Sequence, residues 1–141
     1  MTRVYRILRR PYCKSPLDGE GAFRYGGRWS SPGTRLVYTA EHLSLAMVEY
    51  FVHLDVSDLP RDLVVVTIEV PAGVSRQSAG LTRCRNAGDE FVDGGRAAVL
   101  TVPSLLAPEE SNWLLNPAHQ DFSRIRVAAV EPFRYDARFF E

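Results

Sequence analysis

Gly26-Gly27-Arg28-Trp29 sets a fixed cation between two glycines and an aromatic ring. Glycine lets the backbone approach a ligand closely, and an arginine beside a ring suits a nucleotide, whose phosphates take a cation and whose bases take a face. The same four residues also read as a Gly-Gly turn with Trp29 as a buried anchor. Glu49 is a carboxylate among apolar neighbours in MVEYF. Burial raises the cost of its charge unless a cation such as Arg28 compensates it, whereas His42, Glu49 and His53 together can equally mark the solvent edge of a helix. Val102-Pro103-Ser104 and the later EESNWLLNP stretch offer Ser104, Asn112 and Asn116 as neutral partners for sugar hydroxyls or an amide. Ser and Asn also start turns and cap helices, which is the competing use. No Gly-x-Gly-x-x-Gly, Gly-Lys-Ser/Thr loop, Gly-x-Ser-x-Gly or His-Glu-x-x-His is present, so the common cofactor and hydrolase motifs are absent. Cys13 and Cys84 stand far apart without a His cluster, which predicts free thiols and neither a disulfide nor a metal site.

Strands and helices must carry these groups. Val4 to Leu8 alternates loosely enough for a first strand, closed by Arg10-Pro11. Residues 11 to 33 are rich in Gly, Pro and Ser and predict one long loop, a length that usually signals function. A short strand is predicted over 35–39 and a helix over 41–54, with Leu43, Met47, Tyr50 and Leu54 on one face. Leu45, Val48 and Val52 fall on the opposite face, which predicts a helix sandwiched on both sides with Glu49 in the polar stripe between. The β-branched run Leu63–Val70 predicts a central strand. A short helix over 86–92 closed by Gly94-Gly95, a strand over 97–102, a loop over 103–123 and a last strand over 126–133 complete the chain.

At 141 residues and 45% hydrophobic content the chain suits one core, so a single compact domain over 1–141 is expected. It has neither an apolar run of membrane-spanning length nor a signal-peptide pattern, and a cytoplasmic location is expected. Net charge is zero, yet residues 1–35 hold eight cations against two acids, a sum of +6, and the remainder sums to −6. Sixteen of the seventeen cations are Arg. The basic end either faces an anion or is ordinary surface charge, because a nucleic-acid binder usually shows a strongly basic domain.

Four blocks, Tyr5-Arg6, GGRWSSPGTRLVYTAEHLSLAMVE, GDEFVDGGRAAVLTVPS and PEESNWLLNPAHQDF, taken in this order, resemble the RES domain, the toxin half of bacterial toxin–antitoxin pairs. The resemblance runs from near residue 5 to near residue 123. It implies an α/β (α+β) mixed-sheet fold related to ADP-ribosyltransferases and an activity that degrades NAD at the nicotinamide–ribose bond. NAD is then a substrate, and no prosthetic group or metal is implied. The implied catalytic set is Arg28, Tyr38, Glu49 and Ser104, with Arg6, Gly27, Trp29 and Asn112 as ligand contacts. ADP-ribosyltransferases usually carry their Glu on a late strand whereas Glu49 lies on an early helix, so the assignment rests on the RES match. The implied partner is a cognate antitoxin with a helix-turn-helix, Xre-like DNA-binding domain. That leaves room for a homodimer within the complex, and direct contact with nucleic acid or membrane is not expected.

The residue types suit such chemistry. An oxocarbenium-like transition state wants a carboxylate beside the ribose, the role implied for Glu49, and the pyrophosphate wants Arg28 and Arg6. Arg28 is also expected to keep Glu49 ionised, while Tyr38 offers a ring and a hydroxyl and Ser104 a neutral hydrogen bond. One rival passes ADP-ribose to a protein acceptor. The other is a non-catalytic module whose Arg-rich end contacts nucleic acid or a partner, with steep salt dependence.

Overall fold

The computed structural model describes Met1–Glu141 as seven strands and three α-helices around one mixed sheet. In chain order these are β1 (Thr2–Arg9), α1 (Glu20–Tyr25), β2 (Val37–Ala40), α2 (Leu43–Phe51), β3 (Leu63–Val70), β4 (Arg76–Ser78), α3 (Cys84–Gly94), β5 (Val99–Pro103), β6 (Ser111–Leu115) and β7 (Arg126–Pro132). The sheet runs β4-β5-β6-β2-β1-β3-β7, antiparallel except for the β4–β5 pair. The expected mixed α/β class is therefore what is found. No helix is long and apolar enough to cross a membrane.

Strand alternation builds the core on both faces. Val64, Val66, Ile68 and Val70 of β3 join Val4, Val37, Trp113 and Leu115 on one side, while Leu114, Leu100 and Val102 point the other way to Trp29, Leu36 and Phe91. A third cluster, Ile7, Ala40, Leu45, Ala46 and Leu63, seats α2 on the sheet. The C-terminal segment then closes over α2, with Tyr135 donating to the Met47 carbonyl and its ring meeting Phe51 and Phe133. Burial pushes the Tyr135 hydroxyl up to about 12, so it remains a donor at neutral pH.

Four expectations need correction. Residues 11–33 are not one loop, because a 3-10 turn (Arg10–Tyr12) and α1 lie within them, the latter carrying an Arg24–Glu20 pair one turn apart. The expected loop over 103–123 contains β6, an interior strand paired on both edges. The helix α2 is shorter than 41–54 and is not sandwiched: Val48 and Val52 are 43% and 53% exposed, and only Leu45 and Ala46 are buried. Leu63–Val70 has the expected bounds but stands next to the edge strand β7, not at the centre.

The +6 at the N-terminal end forms no separate basic face. Arg3 pairs with Glu69, Arg9 with Asp62, and Arg24 and Arg35 share Glu20; of the four cations left, Arg10 and Lys14 are exposed and unpaired, and Arg6 and Arg28 line the cavity described below.

Candidate active site

β1 and β2 meet at one register pair only, Tyr5↔Ala40. Successive strand residues point to opposite faces, so a cavity lined by Tyr5-Arg6-Ile7 and by Tyr38-Thr39-Ala40 must lie where the two strands part. That cavity measures about 960 Å³, the upper end of the range for small-molecule sites. α2 supplies Glu49 to its wall, and α3 supplies Cys84 and Arg85.

Glu49 is held by neutral donors. Ser104 Oγ donates to Glu49 Oε1 at 2.6 Å and Asn112 Nδ2 donates to the same oxygen at 3.1 Å. Ser104 is fully buried, and its Oγ accepts from the amides of Leu106 and Ala107, so its single proton is committed to the carboxylate. Glu49 Oε2 carries no hydrogen bond. The expected Arg28–Glu49 ion pair is absent, since Arg28 is exposed and pairs with no carboxylate. Ser104 does not line the cavity and reaches it only through Glu49.

Arg28 stands at the tip of a tight turn closed by Gly27 N–H to the Ser30 carbonyl at 2.9 Å. Tyr38 supports this turn from beneath: its hydroxyl accepts from the Trp29 amide at 3.0 Å and shares a 2.8 Å bond with Ser30 Oγ. Burial pushes the Tyr38 hydroxyl up, partly opposed by those two bonds. Gly27 is required here because a Cβ would come within 2.5 Å of the Tyr38 hydroxyl. Trp29 touches the cavity wall beside Arg28 but is 2% exposed and packs into the core with Leu36 and Phe91, so little of its ring is open to a ligand. The buried-anchor reading is the one observed.

Arg6 lines the cavity and donates to the Pro16 carbonyl at 2.7 Å. Burial lowers its pKa, partly opposed by Asp18. Asn116 lies elsewhere, fully buried with Oδ1 accepting from the Ala118 amide, and serves the turn after β6. His53, which the sequence places in one stripe with Glu49, lines the cavity too, and Arg85 lines it without having been anticipated. Arg85 has no sequence signal, since it reaches the cavity only through the placement of α3. Glu41, His42 and Glu110 bring potential metal-ligand atoms within 4.8 Å of one another outside the cavity, but Glu41 already accepts from the Ser111 amide.

The assembled cavity holds one carboxylate with a free oxygen and three arginines, Arg6, Arg28 and Arg85, none with an acid at ion-pair distance. Its charge favours an anionic ligand with a group that meets a carboxylate.

Known proteins give the same direction. Residues 3–136 match the RES domain family model. The chain is 36% identical to a Sphingobium sp. (strain YBL2) protein described as a Prs ADP-ribosylating toxin, over 97% of this chain and 96% of that one. It is 34% identical to proteins described as Toxin Res from Yersinia enterocolitica, over 96% of this chain and 97% of the relative, and from Pseudomonas putida, over 95% and 99%. With a match across nearly its whole length, the chain belongs to the RES domain family.

Proposed function

We propose that this chain binds NAD in the β1–β2 cavity, cleaves its nicotinamide–ribose bond and so acts as the toxin of a toxin–antitoxin pair. The observation that carries the reading is Glu49, a carboxylate oriented by Ser104 and Asn112 with Oε2 left free beside three unpaired arginines. The arginines take the pyrophosphate. Glu49 Oε2 stabilises positive charge growing on the ribose as the C1′–N bond breaks. The bonding pair leaves with the pyridinium nitrogen, giving neutral nicotinamide, and an acceptor oxygen bonds C1′ and loses its proton. The partner is an antitoxin with a helix-turn-helix, Xre-like domain that covers this cavity.

A second reading, transfer of ADP-ribose to a protein, is favoured by the relative described as a Prs ADP-ribosylating toxin. Exposed Val52, Leu105 and Leu106 on the cavity wall suit a macromolecular acceptor. NAD labelled in its adenosine half separates the two: label in free ADP-ribose supports hydrolysis, and label on protein supports transfer. Label left entirely in NAD overturns both.

Ser104→Ala tests the support of Glu49. It removes the donor to Oε1 and the acceptor for the part-buried Leu106 and Ala107 amides, at a cost of about 1 to 3 kcal/mol. A lower melting temperature and a turnover loss of about tenfold or more are expected. Parent-like values in both measurements would make Ser104 a spectator.

A further inference from the structure

α3 does more than wall the cavity. Asp89, on its second turn, accepts from the Ser31 amide at 2.9 Å and from Ser31 Oγ at 2.6 Å. One residue earlier, Gly88 lies flush beneath the Trp29 carbonyl, so close that any Cβ would overlap its oxygen. The turn that presents Arg28 is therefore gripped on two shoulders, by Tyr38 beneath Trp29 and Ser30 and by α3 against Trp29 and Ser31. The Arg28 side chain makes no hydrogen bond and is exposed, so within the chain only the turn's backbone sets the point from which its guanidinium reaches. Burial pushes the Asp89 carboxyl up, but the two bonds from Ser31, with the field of Arg85, outweigh it and hold the pKa below the ordinary value. The ionised acid is thus the form that grips the turn.

We propose that Asp89 is a positioning residue for Arg28, locking the 27–31 turn so that the guanidinium meets the substrate phosphate. The proposal rests on the reading of this cavity as an NAD site. A cation that binds ground and transition states alike changes KM and not kcat. Asp89→Ala should raise the KM for NAD about tenfold, the size expected for losing one charge-assisted contact, with kcat nearly unchanged. Asp89→Asn keeps an acceptor for the Ser31 amide and should restore part of the loss.

The decisive comparison is a double-mutant cycle with Arg28→Ala. If Asp89 acts through Arg28, Asp89→Ala adds less than about twofold to KM once Arg28 is gone. Equal effects in both backgrounds, or an unchanged KM in Asp89→Ala, overturn the proposal. Hydrogen exchange supplies a readout independent of NAD turnover: Asp89→Ala and Asp89→Asn should speed exchange of the Gly27–Ser31 amides while those of β3 keep their protection. Wild-type protein that leaves NAD intact refutes the functional reading alone, whereas unchanged exchange at Gly27–Ser31 refutes the positioning role.

Discussion

Glu49→Gln is expected to lower NAD turnover by about a hundredfold or more while the protein melts like the parent. The loss corresponds to roughly 2.7 to 4 kcal/mol, the range for removing one preorganised electrostatic contact from a transition state. Survival of the fold follows from the partners. Ser104 Oγ and Asn112 Nδ2 both donate to Oε1, and a glutamine carbonyl in that place accepts both. The amide nitrogen then occupies the position of Oε2, which bonds nothing in the folded chain. No arginine loses an ion pair, because none contacts Glu49, so the substitution leaves no uncompensated buried charge. Melting temperature and NAD turnover on one preparation check this. An unaltered rate would return Glu49 to a residue at a helix edge.

Gly88→Ala is expected to damage both fold and activity, against the ordinary helix rule. In a helix interior, Gly→Ala usually stabilises by roughly 0.8 to 1 kcal/mol. Here the new Cβ would meet the Trp29 carbonyl, which is backbone and is tied into the turn by the Tyr38–Trp29 and Tyr38–Ser30 bonds. Overpacking of this kind costs about 1 to 3 kcal/mol. For a chain of this size that lowers the melting temperature by several degrees, and displacing the Arg28 turn should cost about tenfold or more in kcat/KM. Gly80→Ala is the control, since nothing lies within 4 Å of a Cβ there. A stabilised Gly88→Ala protein with full activity would show that α3 yields freely and does not hold the turn.

Legibility in the sequence followed the range of the forces involved. β3 was readable to its bounds because Leu63–Val70 is a β-branched run, and the end of α3 because Gly95 takes the left-handed conformation after the helix. β4 was invisible: Arg76-Gln77-Ser78 has no apolar pattern and is a strand only because β5 lies beside it. β6 was hidden by Ser111 and Asn112, which read as turn formers, although Trp113-Leu114-Leu115 is buried on both faces. The outward face of α2 misled because Val48 and Val52 are apolar yet uncovered, and periodicity reports chemistry without saying what packs against it.

The site shows the same division. Residue types pointed to Arg28, Glu49, Ser104 and Asn112, and the fold brings Ser104 and Asn112 onto Glu49 across 55 and 63 positions of chain. That same separation kept the pairing itself out of reach. An Arg28–Glu49 pair was the simplest guess for compensating a buried acid, and two neutral donors replaced it. Arg85 and Asp89 belong to a helix whose own pattern says only that it is amphipathic, and the docking of Gly88 on Trp29 is what brings Arg85 to the cavity and Asp89 to Ser31.

The most direct test is NAD concentration against time with purified protein, with nicotinamide measured in the same samples. NAD should fall as nicotinamide appears mole for mole, and both should stay nearly flat with Glu49→Gln. NAD that persists undiminished with wild-type protein that melts cooperatively would contradict the assignment of this cavity as the place where NAD is cleaved.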